Sequence, residues 1–359
     1  MKIFLLLSIL VFSECRKYSI STDSSEAGSS SVESSSESTK LSPISLSTLK
    51  KYLKLSPKDE SFLKNKFNTS SFDLIWPKSE KEIAQLKICS LKSTLKSQEV
   101  KVKIVKISRI KAWYRQDKDK TYCSSDAKSD QSLIPIEFHV SKELANKPRF
   151  AKFYPDESQA SSSNKKHKAL ILTHQYLTNS VNLREWFNDK KTTLDMKEME
   201  KILKIFFTQM HAALNSLLEK KFIYTDFKPE NVIININNKK GSAFLSNLNS
   251  VVSLGKSGKL DKICVMTPEY FPPVNGVSDS DSKKLTSSFI KTEGAKATKR
   301  ILSWQFCMSI FSLVCQEFED KKQQFVDRSV FDKWKNENTS LSRYFKCPKS
   351  KISTSFTTV

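Results

Sequence analysis

Glycine is scarce in this sequence: there are six in 359 residues, and none between Gly28 and Gly241. A loop that wraps phosphate with its backbone amides needs residues without a Cβ where the approach is closest. The central stretch, with side chains such as Lys92, Thr94 and Lys96, therefore lacks a glycine-rich phosphate cradle. Histidine is rarer still, at four, and no two cysteines have the Cys-x-x-Cys spacing, which argues against zinc or dithiol redox chemistry. Beyond the first dozen residues no apolar run approaches the roughly 20 residues that a membrane-spanning helix requires. Acids are also in the minority, 38 against 60 Lys and Arg, which leaves a formal charge of +22. Such a field draws anionic partners of every kind and names none of them. Lysine supplies most of it and is spread along the chain, so a solvated lysine-rich surface explains it better than a nucleic-acid patch. No specific nucleic acid is expected. An apolar content of 38% is ample for a folded core.

The chain opens with Met1 and Lys2, an apolar run over residues 3–12, and then Ser13, Glu14 and Cys15. This is the pattern of a secretory signal peptide, assigned to residues 1–15, and it predicts a protein that is secreted or held in a secretory organelle. Six cysteines follow it, Cys89, Cys123, Cys264, Cys307, Cys315 and Cys347, enough for one or two disulfides in an oxidising compartment, with a connectivity the sequence does not reveal. Residues 16–45 are dominated by Ser and Glu and cannot bury enough apolar surface to offset chain entropy, so they are expected to form a disordered linker. Within it Ser24, Ser31 and Ser35 stand in Ser-x-Glu form and are candidate phosphorylation sites. Asn68 and Asn338 begin N-glycosylation sequons. In the basic extension over residues 46–80, Leu46, Leu49, Leu53 and Leu55 among Lys50, Lys51 and Lys54 predict a short amphipathic helix, which either packs on the main domain or lies on an anionic membrane.

From residue 83 to 154 the pattern alternates as strands do, most clearly at Val100, Val102 and Ile104. Farther on, Met196, Met199, Ile202, Phe206, Met210, Ala213 and Leu217 recur at helical spacing, with Asp195 and Glu198 placed to cap the start. Residues 301–315 are apolar almost all round, as a helix at the centre of a helical layer would be. The expected class is α+β: a small β-rich lobe over about 81–178, a helical lobe over about 179–345, and a tail over 346–359.

Directly after the long helical pattern stands Tyr224-Thr225-Asp226-Phe227-Lys228-Pro229-Glu230-Asn231, followed by the apolar Val232-Ile233-Ile234. An aspartate that can accept a proton from an attacking hydroxyl, a lysine two residues on to steady a phosphate, and an amide three further on to hold a metal are what phosphoryl transfer asks for. This stretch resembles the catalytic loop of protein kinases, H-R-D-L-K-P-E-N before a short strand. The resemblance implies the bilobal protein-kinase-like fold, ATP and Mg²⁺ as cofactors if nucleotide binding is retained, and a protein substrate or partner. It places Asp226 and Lys228 as catalytic residues and Asn231 at the nucleotide's metal. Other segments resemble family landmarks in order. Residues 146–154 look like the fourth strand and the loop before it, 168–177 the fifth strand and hinge, 183–187 the helix after the hinge, and 267–273 the end of the activation segment. Trp304-Gln305-Phe306-Cys307 with Cys315 is similar to the central helix of rhoptry kinases, a secreted family with many pseudokinases.

The sequence departs from the family pattern at several positions. Tyr224 and Thr225 replace the His and Arg of the loop. Asn247 stands where the metal-binding aspartate of D-F-G belongs, and an amide ligates magnesium without neutralising it. Val274 and Leu302 replace a glutamate of the activation segment and the central-helix aspartate that anchors the loop. For the third-strand lysine, expected to pair with Glu137, two registers stand open. Either Val102-Lys103-Ile104-Val105-Lys106 mimics V-A-I-K and supplies Lys106, or residues 100–107 are the second strand, 121–125 the third, and the lysine is gone. The second is favoured, because it leaves an ordinary separation to Glu137. The nucleotide-site candidates are then Lys106, Glu137, Asn231 and Asn247, the last two also being the metal candidates. Together these departures predict a secreted pseudokinase acting as a protein-binding regulatory effector. The alternatives are a divergent active Ser/Thr kinase that transfers the ATP γ-phosphate to protein hydroxyls, and a basic protein that binds anionic glycans or membrane.

Overall fold

The computed structural model describes residues 42–67, 71–76, 83–89, 99–127, 132–160, 169–190, 193–237, 240–272, 274, 277 and 281–314. The leader, the Ser-x-Glu tract, both sequons, Lys92, Thr94, Lys96, Cys315, Cys347 and the tail fall outside them. The architecture is mixed α+β with small sheets.

The largest sheet has five antiparallel strands in the order β1 (Ser42–Ser45), β2 (Ser71–Trp76), β3 (Ile83–Cys89), β4 (Glu99–Lys106) and β8 (Ala169–Gln175). Ser42–Ser45, placed in the disordered linker by composition, is thus a strand, and Ser45 goes on to cap the helix that follows, its hydroxyl accepting from the amide of Thr48 at 3.1 Å. In β4 the side chains alternate, and Val100, Val102 and Ile104 are fully buried on one face. The apolar stripes of α1 (Leu46–Leu53) and α2 (Pro57–Phe67) cover that face, with Leu49, Leu53, Leu63 and Phe67 sealed against it. The amphipathic extension therefore packs on the sheet. Asp59 in α2 is buried yet satisfied, accepting from the Ser56 amide and hydroxyl and from Gln159 Nε2 at 2.8 Å.

Between β4 and α3 (Ile136–Glu143) the chain inserts a second sheet, ordered β6-β5-β7, from β5 (Ala112–Arg115), β6 (Lys120–Cys123) and β7 (Ile134–Pro135). Residues 121–123 belong to this insert and do not pair with β8, whose neighbour is β4. The favoured register of the sequence reading is corrected here: 100–106 is the strand beside residues 169–175, and the insert accounts for the long separation that had argued against it.

The second half is built on α5 (Met196–Glu219), preceded by β9 (Ser180–Asn182) and α4 (Leu183–Lys190). Asp195 stands at the N-cap position, although its side chain makes no capping bond. Met199, Leu203, Phe206, Met210, Ala213 and Leu217 line the buried stripe of α5. They pack on β10 (Phe222–Tyr224), β11 (Val232–Asn237), β12 (Lys240–Leu245), β13 (Val251–Ser253) and the central helix α7 (Ala297–Val314), which follows α6 (Ser282–Glu293). Each Met, Leu or Phe of that stripe contributes about 1.5–3 kcal/mol on burial. The approach of α5 to β12 requires Gly241, where a Cβ would lie 2.5 Å from the ring of Phe206. A disulfide between Cys123 and Cys264 ties the inserted hairpin to the segment after β13, alongside Thr121 Oγ1 accepting from the Ser253 amide at 2.8 Å. Among the described residues no helix is long and apolar enough to cross a membrane.

Candidate functional site

The stretch after β10 is held from below by the central helix. Tyr224, Thr225 and Phe227 are fully buried. Gln305, fully buried in α7, accepts from the Phe227 amide at 3.1 Å and donates to the Thr225 carbonyl at 2.7 Å, while Ser309 Oγ donates to the Phe227 carbonyl at 3.2 Å. The expectation that Leu302 leaves the loop without an anchor is therefore corrected: Gln305, close to one turn along the same helix, takes that place. Thr225 Oγ1, where the protein-kinase loop that this stretch resembles has arginine, lies 2.6 Å from Ser250 O and 2.7 Å from Val265 O. Tyr224 donates its hydroxyl to the carbonyl of Ser246 at 2.8 Å and so fixes the turn that carries Asn247.

These anchors hold Asp226 with its carboxylate buried. Oδ2 accepts from Asn231 Nδ2 at 3.2 Å and lies 3.7 Å from Lys228 Nζ, while the buried Oδ1 meets no hydrogen bond of ordinary geometry among the described residues. Burial raises the Asp226 pKa above the ordinary carboxylate value, with Lys228, Thr267 and Asn231 pulling the other way. Lys228 is occupied by Thr267, donating to its Oγ1 at 2.7 Å.

Asn231 and Asn247, the two metal candidates, bind each other. Asn231 Nδ2 donates to the carbonyl of Asp226 at 2.8 Å, which turns its own Oδ1 toward Asn247, and Asn247 Nδ2 donates to that oxygen at 2.7 Å. The backbone carbonyl is an acceptor only, so it fixes which way both amides point. Asn247 is exposed and sits in the left-handed region at φ 53°. Among the described residues no three His, Cys, Asp or Glu side chains come together as a metal site would need. Mg²⁺ is held by hard oxygen donors, usually with one or two carboxylates besides phosphate. One carboxylate, an amide oxygen already occupied by an NH₂ group, and a second amide do not fit that ion.

Glu137, buried in α3, is paired with Lys103, whose Nζ lies 2.7 Å from Oε1. Lys106 is not its partner: three residues on, it falls on the opposite face of β4, the face that carries Val100, Val102 and Ile104. The reading in which the lysine is lost is corrected as well. The two groups of residues approach each other at Tyr224. Its phenol is held well above the ordinary value by burial first, then by the Asp226 carboxylate, with Glu137 adding to the effect. Asn249, two residues past Asn247, lines one recess together with Lys103 and Glu137, and Arg109 and Lys111 stand at the same recess. Asp226, Lys228, Asn231, Asn247 and Glu137 are thus brought together and Lys106 is not. Sequence reasoning missed Lys103, Gln305 and Thr267. Strict alternation along residues 100–106 could have found Lys103, whereas nothing local marks the other two.

No family model matches the chain. A stretch of 75 residues, 21% of the chain, is 32% identical to the serine/threonine-protein kinase Genghis Khan of Drosophila melanogaster and covers 4% of that protein. The chain therefore spans a small part of this curated relative's length, and the likeness supports a kinase relationship at the level of this stretch.

Proposed function

We propose that this chain is a divergent protein-kinase-like protein, with a β-rich lobe over a helical lobe, that has lost metal-dependent phosphoryl transfer and acts as a protein-binding regulatory module. The observation that carries this reading is the hydrogen bond between Asn247 and Asn231, which joins two amides where a metal would need charged oxygen donors. Removing one charge-stabilising group from a reaction centre costs about 10²–10³ in rate. Here the metal carboxylate and the glycine-rich loop are both missing from the sequence. The kinase-like half of the reading is supported by the Lys103–Glu137 pair, by the placing of Asp226, Lys228 and Asn231, and by the local likeness to a serine/threonine kinase. The finer likeness to secreted rhoptry-type members draws on Trp304–Cys307 and on the leader, and the Cys123–Cys264 disulfide suits an oxidising, secretory setting. In this reading the partner is a protein, with the positive field assisting encounter with acidic surfaces.

A divergent active kinase is the second reading, favoured by the same Lys103–Glu137 pair and by the buried Asp226, whose pKa burial raises. In that case Asp226 would take the proton of a protein hydroxyl, and ATP with Mg²⁺ would supply the phosphoryl group. Incubation of the purified protein with γ-labelled ATP and Mg²⁺ decides between them. No transfer to itself or to generic substrates is expected, and transfer that disappears in Asp226→Asn overturns the pseudokinase reading.

A further inference from the structure

The β5–β6 hairpin is laced to the chain that runs from β13 to Thr267. At the base of this contact Ser253 Oγ donates to Asp119 Oδ1 at 2.7 Å, the oxygen that also accepts from the Tyr114 hydroxyl at 2.9 Å, and the Ser253 amide donates to Thr121. Farther along, the polar ties weaken. Lys120 reaches Asp261 at 3.2 Å and Lys262 pairs with Asp126, but all four side chains are more than a third exposed, where ion pairs hold little. The covalent tie at this end is the disulfide of Cys123 and Cys264. Both cysteines are part-exposed, within reach of a thiol reagent.

Thr267 stands three residues past Cys264. Between them the Val265 carbonyl lies 2.7 Å from Thr225 Oγ1, and Thr267 Oγ1 itself accepts from Lys228 Nζ at 2.7 Å. The residues that follow the disulfide therefore lie over the loop that carries Asp226 and Lys228. Thr225 has no charge with which to receive a phosphate, so a phosphorylated residue has no cation there to order this segment. We propose that the Cys123–Cys264 disulfide is a redox latch: oxidised, it holds residues 264–267 over Asp226 and Lys228, and reduced by a dithiol, it lets that segment move off them. In the step the S–S bond breaks and two S–H bonds form, with two electrons and two protons drawn from the dithiol, which leaves as its own disulfide. Leu260 and Ile263 are buried beside the latch, so the change is a local loosening and the surrounding core stays folded. The latch operates under either reading of the site, because it governs access to Asp226 and Lys228 and not what they do.

Acylation of the full chain by a limiting amount of N-acetoxysuccinimide, with modified lysines quantified by peptide mass spectrometry, tests it in oxidised protein, in protein reduced with dithiothreitol, and after reoxidation. Reduction is expected to raise modification of Lys228 about 3- to 10-fold, the factor that release of one hydrogen bond is worth, and reoxidation to reverse it. Lys103, paired with Glu137 at 2.7 Å, is expected not to change. In Cys264→Ser, Lys228 is expected to be reactive without reductant and indifferent to its addition. A Lys228 that stays protected when alkylation shows Cys123 and Cys264 to be reduced overturns the proposal, as does a dithiol response that survives Cys264→Ser. A rise at Lys103 equal to that at Lys228 overturns it too, since the bond would then hold the whole fold and not this segment. Should Cys264→Ser fail to fold, the reduced and reoxidised wild type decides alone.

Discussion

Lys101→Met is expected to make the protein more stable at neutral pH. A lysine whose pKa falls from the ordinary 10.5 to about 8 on folding holds its proton less favourably in the folded chain than in the unfolded one. At 1.36 kcal/mol per pH unit the difference is worth at most about 3 kcal/mol. Because the side chain retains partial access to solvent, about 1–2 kcal/mol is the gain to expect. Methionine keeps much of the apolar stem and carries no charge. The sign of the pH dependence follows from which state releases the proton first. Below about pH 8 both states are protonated and the wild-type chain bears the whole penalty. Between about 8 and 10.5 the folded state releases the proton before the unfolded state does, so the wild type gains stability and the advantage of the variant shrinks toward zero. Urea unfolding of both proteins at pH 7, 9 and 10.5 reads this directly. A variant less stable than wild type at pH 7, or a difference that does not change with pH, refutes the account of Lys101.

Three further outcomes are expected. Lys103→Met leaves the buried Glu137 carboxylate without its partner at 2.7 Å and should cost about 3–5 kcal/mol, whereas Lys106→Met should change stability by less than about 0.5 kcal/mol; thermal melts of the two variants decide whether the pair is assigned correctly. Gln305→Leu strips the partners from the Phe227 amide and the Thr225 carbonyl and is expected to destabilise by about 2–4 kcal/mol, measured by denaturant unfolding; a neutral result would mean that α7 does not anchor the loop. The double variant Cys123→Ser, Cys264→Ser opens a link spanning 141 residues and should cost about 2–5 kcal/mol, matched by a comparable loss when the wild type is unfolded under reducing conditions.

Periodic features were legible in the sequence. The apolar stripe of α5 and the all-round burial of α7 follow from spacing, and the loop holding Asp226 and Asn231 was marked by an unusual local run of residues. Ser42–Ser45 was not legible, because it is composed like the linker before it and becomes a strand only by pairing with β2. Lys103 was hidden by an insertion. The β5–β6 hairpin stretches its separation from Glu137 to 34 residues, and separation along the chain was the criterion that favoured the wrong register. Gln305 was invisible for a different reason. A glutamine in an apolar helix declares nothing until the loop it grips is folded onto it, since its two hydrogen bonds reach 78 and 80 residues back along the chain. Long-range polar contacts of this kind leave no periodic trace.

The proposed loss of metal-dependent transfer rests on the amide pair of Asn231 and Asn247, joined at 2.7 Å beside Asp226. Electron paramagnetic resonance of Mn²⁺, titrated into the protein with a non-hydrolysable ATP analogue, measures this against the same titration of Asn247→Asp. Wild type is expected to hold no more Mn²⁺ than the free analogue does, and the variant, with a second carboxylate beside Asp226, to hold it detectably tighter. Mn²⁺ bound by wild type as tightly as by Asn247→Asp would contradict it.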